Sequence, residues 1–247
     1  MFEVQFRSGK SRFAMTDKGL FFCGHVGRVD GHKLPVPCVV VGLRDDVEIV
    51  AGALRLQSPI LYVPPGVPHR LDGHESLIAS VFFEPDAEWA STLERELGGD
   101  PADLSLYIDR VDLDRLALEA FKTRSASPLL AAAFPAMSKE MVSMDPRVLA
   151  LLRRIRDQGM GRMSQDAAAR HLACSPTTML KLFRKEARTT FRTYKLWTAL
   201  RFTLAQYADE KRFGMAALDA GFADASHFTR RFRGVFGVRP RDVFPRV

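Results

Sequence analysis

The chain has 247 residues, of which 47% are hydrophobic, and a formal net charge of +7. This length suffices for two domains, and no run of about 18 apolar residues predicts a membrane-spanning helix. The start of the chain lacks the layout of a signal peptide and the three cysteines have no metal-ligand spacing, so we expect a cytoplasmic protein without a disulfide framework.

Residues 1 to about 84 consist of short segments rich in Val, Ile, Leu and Phe, separated by turn residues. The predicted strands cover residues 20–26, 36–43, 47–50, 53–57, 60–63 and 77–83. Many short strands at this spacing predict a β-barrel or a sandwich. A helix is predicted at 86–97, ended by Gly98 and Gly99, and a further strand at 104–108.

From Asp112 onward the apolar residues follow a helical period. Two segments, at about 113–120 and 129–141, are candidates for a dimer surface or for packing onto the barrel. The next helix is predicted to begin at Pro146, capped by Asp145, and to run to about residue 158. We therefore divide the chain into domains 1–144 and 145–247.

The charge is unevenly divided between these two domains. Residues 145–247 contain 21 Lys+Arg against 9 Asp+Glu, a net charge of +12, and the rest of the chain carries −5. Such a basic domain predicts a polyanionic ligand. Nucleic acid is favoured over a membrane surface because the basic residues lie on short capped helices whose apolar faces are well filled.

A helix is predicted at 225–236, with Asp224 as its N-cap and Gly237 at its end. One face carries an apolar stripe of phenylalanines at four-residue spacing, and the other is polar and basic. The stripe is Phe228, Phe232 and Phe236, and the polar face is Ser226, Arg230 and Arg233. A basic amphipathic helix alone is more often an ordinary surface helix.

The same pattern occurs 49 residues earlier. Ser175 is the N-cap, Met179 and Phe183 continue the buried stripe, and Thr177, Lys181 and Arg184 form the polar face. Each copy follows a short Ala-rich helix and a tight turn, which predicts two helix-turn-helix units at about 164–188 and 213–237. A connecting helix at 191–208, about 25 Å long, can place both second helices in successive major-groove segments of one DNA face.

Residues 164–244 resemble the DNA-binding domain of the AraC/XylS family of transcriptional regulators. The matching residues are Leu172 to Pro176, Phe183 to Glu186, Phe191 with Tyr194, Gly221 with Phe222, Ser226 to Arg233 and Phe236 to Pro240. The resemblance implies a regulator that binds double-stranded promoter DNA through two helix-turn-helix units.

The resemblance also implies a role for individual side chains. Base edges would be contacted by Thr177, Leu180, Lys181, Ala225, Ser226, Thr229 and Arg230, and phosphates by Thr178, Arg184, Lys185 and Arg233. Lys181 and Arg230 are the main candidates for sequence reading, because Lys and Arg can form paired bonds to guanine. Leu180 and Ala225 are apolar where the family often has a polar reader, so contact there is to a thymine methyl group or absent.

The N-terminal strands look like the cupin-type effector domain that often precedes this DNA-binding domain. Its local marker is the strand at 60–63 that leads through a Pro/Gly turn to His69. The candidate effector-pocket residues are His25, His32, Tyr62 and His69. His69 lacks the His-x-His partner of metal-binding cupins, so we predict no metal and no cofactor, while a Zn or Fe site formed by two or three imidazoles stays the open alternative.

The predicted fold class is α+β, with an N-terminal cupin-like β-barrel followed by helices and a C-terminal all-α domain. The predicted function is a non-enzymatic, sequence-specific transcription regulator controlled by a small molecule in the barrel. RNA polymerase and a second copy of the chain are further candidate partners, and no membrane is involved. The alternatives are a cupin metalloenzyme with an appended helical domain and a nucleic-acid binder without a sensor.

Overall fold

The structure is a computed structural model of the whole chain. It describes residues 4–7, 11–16, 18–43, 45–74, 77–107, 115, 144–157, 163–210 and 213–243. The two helical segments predicted at about 113–120 and 129–141 lie almost entirely outside the described residues. Among the described helices, none combines the length and the apolar character needed to cross a bilayer.

The N-terminal half is built from antiparallel strands in two sheets. The strands are β1 Val4–Arg7, β2 Ser11–Thr16, β3 Gly19–His25, β4 Arg28–Lys33, β5 Cys38–Gly42, β6 Val47–Ala51, β7 Leu54–Ser58, β8 Ile60–Val63, β9 Pro68–Asp72, β10 Leu77–Phe83 and β11 Ala102–Asp103. One sheet has the order β1-β2-β3-β10-β5-β8-β11 and the other β4-β9-β6-β7. Together with the helices that follow, they confirm the predicted α+β class.

Strands β1, β2, β4 and β9 were not among the predicted strands. Of these, β4 and β9 belong to the smaller sheet. Each turns only two buried side chains inward, so neither shows an apolar run. In β4 the register shifts between Val29 and His32, which places the two buried residues three positions apart instead of two. Alternation therefore could not reveal this strand.

The strand predicted at 104–108 is wrong. The chain instead forms the two-residue strand β11 and then a 3₁₀ helix, Ser105–Tyr107. The Asp103 carboxylate accepts hydrogen bonds from the Ser58 hydroxyl, at 2.5 Å, and from the backbone N–H of Ser105, at 2.8 Å. An aspartate that bonds the backbone two residues later favours a turn over a continuing strand.

The central strands of the larger sheet, β5 and β8, are buried on both faces. Along β5, Cys38 and Val40 face the cluster that lies between the two sheets, whereas Val39 and Val41 face a second cluster. Helix α1, Glu88–Leu97, covers that second face, and its Leu93 is completely buried there. The space between the two sheets is the interior of the barrel.

The C-terminal half is helical and contains both predicted helix-turn-helix units. The helices are α2 Pro146–Asp157, α3 Gln165–His171, α4 Pro176–Ala187, α5 Phe191–Glu210, α6 Phe213–Asp219, α7 Ala225–Phe236 and α8 Pro240–Val243. Helix α8 begins at Pro240, because proline is tolerated at a first helical position.

Helix α5 is fixed to the barrel through the buried carboxylate of Glu84, just after β10. Helix α2 is fixed through Glu84 and through Asp86, to which Arg156 donates at 2.7 Å and 3.0 Å. Tyr194 donates to the Glu84 carboxylate at 2.8 Å and Trp197 at 2.7 Å, and Arg201 forms an ion pair with it. Arg156 reaches the same carboxylate at 3.3 Å. One acidic group of the barrel thus neutralises and orients side chains from two helices of the other half.

Candidate functional site

The exposed face of α4 is set by its N-cap and its buried stripe. The Ser175 hydroxyl accepts a hydrogen bond from the backbone N–H of Thr178 at 3.2 Å, and proline follows at the first helical position. Met179 and Phe183 are completely buried, and this fixes the rotation of the helix about its axis. Lys181 is consequently exposed on the opposite side.

Helix α7 repeats this construction. The Asp224 carboxylate accepts a hydrogen bond from the backbone N–H of His227 at 2.6 Å, and Gly237 ends the helix in the left-handed conformation with a φ of 70°. Phe228 and Phe232 are buried, and Arg230 is exposed. Both second helices of the helix-turn-helix units therefore present a polar, basic face to solvent.

The predicted DNA-contacting residues lie mostly on these two exposed faces. Thr177, Thr178, Lys181, Arg184, Lys185, Ala225, Ser226, Arg230 and Arg233 are exposed. Leu180 is half-buried and packs against the core, which leaves little of its side chain for a base. Thr229 is also half-buried, and its hydroxyl donates to the backbone oxygen of Ala225 at 2.8 Å.

The spacing between the two units is set by α5, which has 20 residues. At 1.5 Å per residue its length is about 30 Å, slightly more than the 25 Å expected from the sequence. Major-groove segments on one face of DNA recur about 34 Å apart. A connector of this length suits two reading helices on one duplex face.

The barrel contacts α7 at its C-terminal end. Arg233 forms a hydrogen-bonded ion pair with Asp30 of β4. This hydrogen bond and the positive charge of Arg233 hold the pKa of Asp30 below its ordinary value. A side chain predicted to contact DNA phosphate is thus already paired with an acidic residue of the barrel.

A pocket lies between the barrel interior and the second helix-turn-helix unit, with a cavity volume of about 60 Å³. Most of its wall is apolar. The barrel contributes Phe13, Phe22, Val26, Val29, His32, Leu34, Cys38, Val40, His69, Leu71, Ile78, Ser80 and Phe82, and the C-terminal half contributes Phe232, Phe236, Val238 and Val243. The wall is therefore shared by the two halves of the chain.

Two of the four candidate effector residues, His32 and His69, line this pocket. Tyr62 lies on the opposite face of the larger sheet, where it packs in the cluster beneath α1 and donates to Glu94 at 3.2 Å. His25 is exposed at the end of β3 and does not line the pocket. The structure therefore brings together only the two imidazoles of the smaller sheet.

The His32 and His69 rings lie side by side, with their centroids 4.2 Å apart. Each Nδ1–H donates to a backbone oxygen, that of Asp30 at 2.8 Å and that of Val67 at 2.9 Å. Burial, and then the neighbouring His69, lower the pKa of His32 to about 4, and burial lowers the pKa of His69. Both rings are thus neutral near pH 7, and each Nε2 is a hydrogen-bond acceptor.

The described residues contain no group of three or more His, Cys, Asp or Glu side chains that could hold a metal ion. Of the imidazoles considered for a Zn or Fe site, His32 and His69 are adjacent, while His74 is bonded to Asp72 outside the pocket. The two adjacent rings alone fall short of the three protein ligands of typical catalytic zinc sites.

The buried imidazoles give the fold a specific pH dependence. Because the folded pKa of His32, about 4, is below its ordinary value of 6.5, the unfolded chain binds more protons between these values. Stability is therefore complete above pH 6.5 and falls as the pH drops toward 4, with an expected loss from His32 of about 2 kcal/mol between pH 7 and pH 5.

Urea unfolding at pH 7 and pH 5 measures this loss. We expect the His32→Gln variant to lose less stability than the wild type over this interval. His25→Gln, which changes an exposed histidine outside the pocket, should keep the wild-type difference. Equal pH dependence in wild type and His32→Gln would contradict the assignment.

Several residues of this site could not be identified from the sequence. Phe232 and Phe236 were assigned to the buried stripe of α7, but nothing in the sequence showed that the stripe continues into the barrel. Asp30 had no signal, because it lies in a strand that was not predicted. The Phe82 ring meets Phe236 edge-on, with centroids 5.6 Å apart, and this contact joins residues 154 positions apart.

Comparison with known proteins agrees with this geometry. Residues 168–246 match a family described as a helix-turn-helix domain. The fold is similar to that of ToxT from Vibrio cholerae: the apo form of a ToxT variant shares 10% identity at a TM-score of 0.63, over 92% of this chain and 97% of that chain. No curated protein has a significantly similar sequence.

Two further ToxT structures contain small molecules. ToxT bound to (E)-4-(8-methylnaphthalen-1-yl)but-3-enoic acid has 10% identity and a TM-score of 0.59, over 92% of this chain and 98% of that chain. ToxT bound to an unsaturated fatty acid has 12% identity and a TM-score of 0.51, over 92% and 96%. The similarity in fold thus extends over both halves of the chain.

Proposed function

We propose that this chain, a DNA-binding transcription regulator with an AraC-type helix-turn-helix domain, is controlled by a small apolar molecule that binds between the barrel and the second helix-turn-helix unit. The observation that carries the proposal is the shared pocket wall, in which barrel residues face Phe232 and Phe236 of α7. A ligand in that position has different contacts when the two halves are arranged differently. Differential affinity of this kind is what couples ligand binding to DNA binding.

The pocket chemistry indicates the class of ligand. The wall is mainly aliphatic and aromatic, so the body of the ligand is apolar. The polar groups are the two neutral imidazoles, whose Nε2 atoms accept hydrogen bonds, and the hydroxyl of Ser80. An apolar molecule with one donating head group, such as a hydroxyl, an amine or an undissociated carboxyl, fits this set. The two ToxT ligands are likewise apolar molecules with a single acidic head.

We assign ligand binding mainly to domain 1–144 and DNA binding to domain 145–247. The exposed faces of α4 and α7 bind promoter DNA, with Lys181 and Arg230 reading base edges. Arg184, Lys185 and Arg233 contact phosphates and supply salt-dependent affinity. The regulator would act in the cytoplasm, with RNA polymerase as a partner at the promoter and a second copy of the chain as a further partner.

Arg230 and Arg233 are expected to respond differently to substitution. Arg230→Ala should weaken binding to the selected site by about 1 to 3 kcal/mol and relax preference at one base pair, because it removes a base contact. Arg233→Ala should reduce the salt slope by about one on specific and random DNA alike, because it removes a phosphate contact.

Selection of bound sequences from a random DNA pool identifies the site, and titrations on this site and on random DNA at several salt concentrations test both variants. Running the selection with and without a cell metabolite extract also tests effector dependence. Equal losses on specific and random DNA for Arg230→Ala would contradict its role in base reading. A protein that binds all sequences alike would contradict the proposed function itself.

A further inference from the structure

The pocket is too small for the class of ligand that its wall favours. Its volume of about 60 Å³ holds only a few water molecules. Pockets for drug-sized apolar ligands have volumes of about 300–1,000 Å³. A ligand with an apolar body of ten or more atoms therefore cannot enter unless part of the wall moves away.

Among the described residues, the C-terminal part of the wall has no backbone hydrogen bond to the barrel. The barrel part belongs to strands whose backbones are hydrogen-bonded in two sheets. The described polar contact between α7 and the barrel is the Asp30–Arg233 ion pair, whose side chains are 61% and 49% exposed. Exposed pairs of this kind are weak. Phe236, half-buried, fills the opening against Phe82 without any covalent or backbone link to the barrel.

The same contact opposes DNA binding. Asp30 already accepts a hydrogen bond from Nη2 of Arg233, so a DNA phosphate must compete with Asp30 for this donor. Asp30 also brings a carboxylate to the basic face of α7, where it repels phosphate. If α7 is free of the barrel in only a fraction of the molecules, the apparent dissociation constant for DNA is raised by the reciprocal of that fraction.

We propose that Phe236, Val238 and Val243 occupy the ligand site, so that the ligand and the C-terminal wall compete for the mouth of the barrel. Ligand entry displaces the wall, breaks the Asp30–Arg233 pair and releases α7 for DNA. The ligand therefore raises DNA affinity. This inference rests on the proposed function, because it assigns the direction of control to the same pocket.

Two variants of the full-length protein weaken the wall without a ligand. Asp30→Asn removes the ion pair, and Phe236→Ala removes the ring that fills the opening. Asp219→Asn is the matched control, since it removes one exposed acidic charge on α6, away from the barrel contact. DNA affinity is measured on the selected site at fixed salt. Binding of N-phenyl-1-naphthylamine, a fluorescent apolar molecule with one N–H donor, is measured in parallel.

We expect Asp30→Asn to raise DNA affinity about three- to fivefold and Asp219→Asn by less than twofold. Phe236→Ala and Asp30→Asn should each bind the fluorescent probe at least threefold more tightly than the wild type. Equal DNA affinity of Asp30→Asn and Asp219→Asn, or equal probe affinity of wild type and Asp30→Asn, would overturn the competition. If Phe236→Ala loses thermal stability, the DNA affinities of Asp30→Asn and Asp219→Asn still test the proposed competition.

The two proposals fail in different ways. Wild-type protein that selects a DNA site, with no gain in Asp30→Asn over its control, retains the proposed function and overturns the competition. Wild-type protein that selects no site overturns the proposed function, whatever the variants do.

Discussion

Glu84→Ala is expected to lower the free energy of unfolding by about 3 to 5 kcal/mol, because it removes a completely buried carboxylate that forms an ion pair with the buried Arg201. Trp197 and Tyr194 would lose their acceptor in the same step. An uncompensated buried charge costs more than the ion pair contributes. Urea unfolding followed by circular dichroism at pH 7 measures the change.

Two control variants show whether the loss of stability comes from the charge of Glu84 and from its burial. Glu84→Gln keeps one acceptor oxygen in the same place and should cost less than the alanine variant. Asp30→Asn breaks an ion pair that is largely exposed, so a much smaller loss of stability is expected. If Glu84→Ala lost no more stability than Asp30→Asn, Glu84 would not be the group that fixes α5 to the barrel.

Gly237→Ala is also expected to lower the free energy of unfolding, by about 3 kcal/mol or more. A left-handed conformation costs an alanine about 1 to 2 kcal/mol. The new Cβ would also lie 2.2 Å from Cγ1 of Val29 and 2.8 Å from the backbone oxygen of Asp30, and overpacking typically costs about 1 to 3 kcal/mol. Thermal unfolding of the purified variant measures the sum.

Gly234→Ala is the matched control, three residues earlier in α7. A Cβ at this position meets no atom within 4 Å, and the residue lies in the helix interior. Alanine there should stabilise the protein by about 0.5 to 1 kcal/mol. A similar response of the two glycine positions would show that α7 does not pack against β4 as closely as the structure has it.

The helices could be predicted from the sequence because their signals are local. Ser175 and Asp224 cap helices whose apolar stripes recur at helical spacing, and Gly237 ends the second of them, so each boundary depends on neighbouring residues. One basic amphipathic helix did not predict a function, but two copies of it at a fixed spacing predicted two helix-turn-helix units. The comparisons confirm the resulting helix-turn-helix domain.

The pocket was harder to predict, because strand alternation separates two faces without saying which one is the interior. Both faces of β8 are buried, and Tyr62 turned out to face α1 instead of the cavity. His32 lies in a strand with a bulge and a polar sequence. Phe236 was recognisable as a buried residue, but its partner Phe82 lies far away in the chain and no local signal joins them.

The Glu84 cluster bears on how freely the two halves of such a protein can be exchanged. A barrel joined to a different helical domain would carry a buried carboxylate with no partners, and this helical domain on a different barrel would carry Arg201 buried without its acid. A functional chimera must therefore transfer Glu84 together with its four partners on α2 and α5, which are Arg156, Tyr194, Trp197 and Arg201. The unit of recombination is thus the barrel together with the helices that surround this carboxylate.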